Sequence, residues 1–143
     1  MRIYLDSCCY NRPFDSHHQE RIRREAEAVL AILESAHVKI SCAPLHWELA
    51  AIANAEKRVR VNSLLSLAQH EEVDATAFTA RVPQIAALGF RPMDSAQIAC
   101  AELVAADWFL STDDLLVRCA ARQAASLKVA VANPADWVVI HLA

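Results

Sequence analysis

A chain of 143 residues with a single glycine, Gly89, has few ways to reverse direction sharply. Tight hairpin turns need backbone angles that glycine adopts most readily, so an all-β fold built on many such turns is disfavoured. The same scarcity excludes Gly-x-x-x-x-Gly-Lys and Gly-x-Gly-x-x-Gly loops, and with them those routes to nucleotide binding. Apolar residues make up 55% of the chain, with many Ala and Leu. At this length that is enough for one domain, residues 1–143, around one core.

The formal net charge is −3. There is no basic surplus of the kind that marks nucleic-acid binders, so a polyanion would be held by local patches or through bound cations. The five cysteines, Cys8, Cys9, Cys42, Cys100 and Cys119, are odd in number and form no Cys-x-x-Cys pair. They are expected to be reduced and mostly buried. Cys8-Cys9 and His17-His18 lack the usual spacing of a soft-metal site. No apolar run reaches the ~18–20 residues of a membrane span, and the expected location is the cytoplasm.

Ile3-Tyr4-Leu5 is a short run of strand-formers that stops abruptly at Asp6. Ser7, Asn11 and Pro13 after it are turn and cap residues, and Asp6 could itself be no more than a turn cap. Ser16-His17-His18-Gln19 has the form of a capping box, opening a helix whose inward stripe is Ile22, Ala26, Val29, Leu30 and Leu33. Arg21, Arg23 and Arg24 read as solvated charge. Val38 to Ala43 is the second strand, and Pro44 opens a helix that carries Glu48 in its early turns.

Val61 to His70 reads as a short helix. Thr76 to Leu88 reads as another, running past Pro83 to a left-handed stop at Gly89. Asp94 suits the N-cap of an Ala-rich helix. Trp108-Phe109-Leu110 is a second apolar run that ends at carboxylates, in Ser111-Thr112-Asp113-Asp114. A helix over Leu115 to Ala125, a strand over Val129 to Val131 and a turn at Asn133-Pro134 follow. Trp137 to Leu142 is expected to lie extended against the sheet edge.

This order predicts an α/β fold, a parallel sheet layered between helices. Asp6 and Asp113 then emerge at the C-terminal edge of the sheet, where Glu48 and Asp94 also begin their helices. Carboxylates that meet there must be protonated or neutralised by a cation. Hard oxygen donors suit Mg²⁺ or Mn²⁺, and such ions activate water toward a phosphodiester.

Those residues resemble the PIN-domain ribonucleases, a family that includes VapC-type toxins of bacterial toxin–antitoxin pairs. The resemblance rests on Ile-Tyr-Leu-Asp6-Ser, on Glu48 after the second strand, on Asp94-Ser-Ala-Gln-Ile-Ala-Cys-Ala, and on Phe-Leu-Ser-Thr-Asp113-Asp. It covers nearly the whole chain and implies a PIN-like α/β/α sandwich. It also implies that Asp6, Glu48, Asp94 and Asp113 are catalytic and bind the metal. Asp114 is marked to assist or replace Asp113, and Ser111, which matches a hydroxyl residue two positions before the last acid, is a candidate substrate contact. Gln97 stands where many members have His, and Ser95 where Ala is usual.

Arg12 is the nearest candidate for a substrate phosphate, with a structural salt bridge as its alternative. The resemblance further implies an RNA substrate, an antitoxin protein as partner, and a homodimer. Two rivals stand beside the nuclease. One is a non-catalytic PIN-like module that binds RNA or protein. The other is an Asp-nucleophile phosphatase, which would want an acid where Cys8 stands.

Overall fold

A computed structural model describes residues 1–142 and places β1 (Arg2–Leu5) at the centre of the sheet. β2 (Val38–Ser41) and β3 (Gln69–His70) lie on one side of β1, and β4 (Trp108–Leu110) and β5 (Ala130–Ala132) on the other. The order is β3-β2-β1-β4-β5, and every neighbouring pair is parallel. A strand with sheet on both edges and helices on both faces has no polar side, which is why Ile3, Tyr4 and Leu5 are all fully buried. Tyr4 pairs with Phe109 in the β1–β4 register, and the two rings stack at 5.6 Å.

Parallel strands need crossovers, and eight helices among the described residues supply and extend them. They are α1 (Ser7–Asn11), α2 (Glu20–Glu34), α3 (Ala43–Ala50), α4 (Ala55–Leu65), α5 (Ala75–Ala86), α6 (Pro92–Leu103), α7 (Asp114–Arg122) and α8 (Pro134–His141). Gly89 ends the α5 region with φ +111°, in the left-handed region as expected, and α5 does run through Pro83. None of these helices is long and apolar enough to cross a membrane. The five cysteines are unpaired, Cys8 half-buried and the others buried.

Six local expectations are corrected. Ser7 to Asn11 is a short helix rather than a turn, because the Asp6 side chain caps it. No capping box forms at Ser16–Gln19. α2 starts at Glu20, and its buried face comprises Glu25, Ala26, Ala28, Val29, Ile32 and Leu33, leaving Leu30 exposed. The inward position of Glu25 displaces the stripe that apolar periodicity alone suggests. Val61 to His70 divides, with α4 ending at Leu65 and Gln69–His70 forming the edge strand β3, too short and polar to show a pattern.

Asp94 does not cap α6. Pro92, with its fixed φ, takes the first turn, so the cap falls to Arg91 and Asp94 lies inside that turn. The last segment is helical, not extended. Asn133 caps the Ala135 amide at 2.8 Å, Pro134 starts the turn, and Trp137 is driven into the core. Capping and burial there outweigh the strand preference of Val138, Val139 and Ile140.

Candidate active site

The end of β1 fixes Asp6. Its amide donates to the Leu110 carbonyl at 2.9 Å, continuing the β1–β4 ladder one step past the strands, so Asp6 and Ser111 emerge side by side. The Ser111 hydroxyl donates to Asp6 Oδ2 at 2.9 Å and accepts from the Asp113 amide at 3.1 Å. Asp6 Oδ1 accepts from the Ser7 amide at 2.8 Å, so the cap role weighed from the sequence is real, while Oδ2 is left to Ser111 at the sheet edge. Burial pushes the Asp6 carboxyl well above its ordinary range, Cys8 adds to this, Ser111 opposes it, and Asp94 raises it further. Cys8 Sγ lies 3.5 Å from Asp6 Oδ2, and hydrogen bonding from Cys9, with Ser111 and Thr112, lowers that thiol to about 6 against the effect of burial.

Glu48 projects from α3 toward the same edge. Ser7 Oγ donates to Glu48 Oε2 at 2.7 Å, and Gln97 Nε2 on α6 donates to Oε1 at 3.1 Å. The other end of the Gln97 amide accepts a hydrogen bond from the Tyr4 hydroxyl. Tyr4 and Gln97 are fully buried, so the Tyr4 hydroxyl fixes the amide oxygen of Gln97 and thereby aims its nitrogen at Glu48. Gln97, noted from the sequence only as a departure from His, is therefore a support of the site.

Asp94 and Asp113 share an arginine. Arg91 Nε donates to Asp94 Oδ2 at 3.0 Å, and Arg91 Nη2 pairs with Asp113 Oδ2. Asp113 Oδ1 meanwhile caps α7, accepting from the amides of Leu115 and Leu116 at 3.0 and 3.3 Å. Burial raises the Asp94 carboxyl, Arg91 draws it back, and the charges of Asp113 and Glu48 raise it again. Mutual repulsion therefore links Asp6 to Asp94, and Asp94 to Glu48 and Asp113. Sequence reasoning missed Arg91. The signal for it was an arginine three residues before Asp94, the spacing of a helical ion pair.

Two expected members turn elsewhere. Asp114 is gripped by Arg21, at 2.6 and 2.7 Å, on the opposite side of the α7 start. Arg12 forms ion pairs with Glu25 at 3.2 Å and Asp15 at 3.1 Å, which is the structural salt bridge rather than a free phosphate contact. Both follow from the inward place of Glu25, whose buried carboxylate draws the arginines toward α2.

The four remaining acids come from four different elements but are engaged by protein partners as they stand. Among the described residues no three His, Cys, Asp or Glu side chains are gathered closely enough to hold one ion. In kind the donors fit a hard divalent cation: they are carboxylates that repel one another, with the exposed Arg91 as the cation paired to two of them.

No family model matches the chain, and no curated protein matches it. Among solved structures, a chain of the crystal structure of VapBC2 from Rickettsia felis, bound to a DNA fragment from their promoter, aligns with a TM-score of 0.59 at 12% identity. The alignment covers 93% of this chain and 98% of that one. A likeness of that extent, at so low an identity, is a likeness of fold: the chain has a PIN-like α/β architecture, a five-stranded parallel sheet flanked by helices.

Proposed function

We propose that this chain is a divalent-metal-dependent endoribonuclease, hydrolysing RNA phosphodiester bonds with Mg²⁺ or Mn²⁺. The observation that carries the reading is the placement of four carboxylates at one sheet edge, at the end of β1, on α3, in the first turn of α6 and at the start of α7, with burial and neighbouring charge raising Asp6 and Asp94. Like charges brought together at a half-buried rim cost stability unless a cation neutralises them.

Asp6, Glu48, Asp94 and Asp113 are the groups that would hold the ion. The bound ion would supply an activated water and offset charge on the phosphodiester oxygens. Ser111 orients Asp6 through its hydroxyl, Ser7 and Gln97 orient Glu48, and the α7 cap fixes Asp113. The likeness to a chain of VapBC2 is in keeping with a toxin restrained by a small antitoxin protein; a cytoplasmic location and pairing into a homodimer go with that reading.

Asp6→Asn and Asp94→Asn should each abolish Mg²⁺- or Mn²⁺-dependent cleavage of RNA while the circular dichroism spectrum stays native. Asparagine removes the charge at nearly constant size, and at position 6 it still caps α1. Wild-type cleavage by either variant rules out this acid set. A second reading has its own support. Arg91 already pairs with Asp94 and Asp113, which suits a non-catalytic module that binds RNA or protein. RNA bound but never cleaved, with either ion present, would favour it.

A further inference from the structure

The turn before α6 holds its backbone tightly and leaves one long side chain exposed. Gly89 takes φ +111°, Phe90 is buried, and Pro92 fixes the first turn of α6. Between them, the Arg91 carbonyl accepts hydrogen bonds from the amide and the hydroxyl of Ser95, both at 2.8 Å. The Arg91 side chain is nevertheless 65% exposed, and spans 22 residues of sequence to reach Asp113. Beside it lies a cavity of about 150 Å³, lined by Gly89, Phe90, Leu115, Leu116 and Cys119 as well as by Arg91 and Asp94. The aliphatic stem can lie along that apolar wall while the guanidinium stays in water.

We propose that Arg91 is a displaceable counter-cation: it occupies two ligands of the acidic site and competes with the divalent ion, lowering the affinity of the site for metal. The inference rests on the assignment of Asp94 and Asp113 as ligands. A guanidinium and a divalent ion cannot both take Asp94 Oδ2 and Asp113 Oδ2, the two atoms that Arg91 engages. Because the Arg91 backbone is pinned, the exchange requires only rotation of the side chain out of the rim. Exposed ion pairs are individually weak, so an ion with several carboxylate ligands can displace them.

The test is a calorimetric Mn²⁺ titration of the full chain, wild type against Arg91→Gln, with melting curves in chelator and in Mn²⁺. Losing the competitor should tighten Mn²⁺ binding by about tenfold, the combined weight of two weak pairs. Arg91→Gln should also melt below wild type in chelator, where the repulsion is left uncompensated, yet gain more from Mn²⁺. Arg91→Lys keeps the charge without the two-pronged fork and should bind Mn²⁺ with intermediate affinity, which serves as the test should the glutamine variant not fold. A merely structural role predicts lower melting in both conditions with affinity unchanged. Equal or weaker Mn²⁺ binding by Arg91→Gln, or no Mn²⁺ bound by either protein, overturns the proposal. Tightened Mn²⁺ binding without RNA cleavage would sink the nuclease reading alone, whereas intact cleavage with unchanged affinity would sink only this one.

Discussion

Two groups of carboxylates stand at opposite sides of the α7 start, and the chain treats them differently. Around Glu25 the charges balance. Its buried carboxylate meets Arg12 and Arg21, accepts from the Asn133 amide, and Arg21 passes on to Asp114 and the Thr112 carbonyl. At the rim they do not. Asp6, Glu48, Asp94 and Asp113 face one another with a single exposed arginine between two of them, and burial and like charge raise Asp6 and Asp94. A buried acid with its own cations explains itself as structure. Half-buried acids gathered around the buried Asp6 and short of cations suit a partner that supplies charge.

Each side of this comparison can be broken. The largest effect belongs to the balanced side: Glu25→Ala should cost about 3 kcal/mol in urea unfolding, because it strands buried positive charge. Little loss would mean that the network is ornamental and the contrast is empty. Next comes metal. Mn²⁺ at a hundredfold above its dissociation constant should stabilise wild type by about 2.7 kcal/mol and Asp6→Asn by clearly less. Glu25→Gln, if it folds, should keep the full Mn²⁺ response.

Smaller is the gain from Asp6→Asn in chelator, about 1 kcal/mol at neutral pH. Its pH dependence has a definite sign. The folded-state pKa of Asp6 is raised, so the folded protein binds this proton more readily than the unfolded chain. Below the ordinary Asp pKa both states are protonated and the variant should match wild type. As pH rises through the elevated folded value, wild type loses stability relative to Asp6→Asn, and above it the gap is constant. Paired melts across pH check this, and a gap that instead closed with rising pH would reverse the account. The smallest effect is Asp114→Asn, which should change Mn²⁺ affinity by less than about twofold, since Arg21 holds that side chain off the rim. A larger loss would return Asp114 to the ligand set.

What could be read in advance follows from where signal is dense. β1 and β4 were legible because each is a short apolar run cut off at or shortly before an acid, and that punctuation also placed Asp6 and Asp113 at the C-terminal ends of those strands. Glu48 and Asp94 followed from the order of elements around them. β3 was not legible, since Gln69 and His70 are exposed and carry no apolar pattern. α8 was misread because β-branched residues outvoted an Asn-Pro start whose capping bond is visible only in three dimensions. Arg12 and Asp114 were drawn to the site by nearness in sequence, whereas Glu25, inward on α2, decides where the arginines point. Arg91 was given no role because its partners, Asp94 and Asp113, meet it only in the fold, and Gln97 was noted only as a departure from His because its link to Tyr4 and Glu48 is equally long-range.

The β1–β4 pairing has a consequence for timing. Asp6 and Ser111 touch, yet 105 residues separate them. At ordinary rates of synthesis roughly 5–20 s pass between the making of one and the other. Until β4 emerges, β1 lacks one of its two neighbours, Asp6 has no hydroxyl to orient it, and Asp113 does not exist. Closing so long a loop is slow compared with local helix formation. The helices can therefore form as the chain is made, while the acidic rim is completed only once synthesis has passed Asp113. A growing chain on the ribosome is thus without the full acidic rim for most of the time it takes to make.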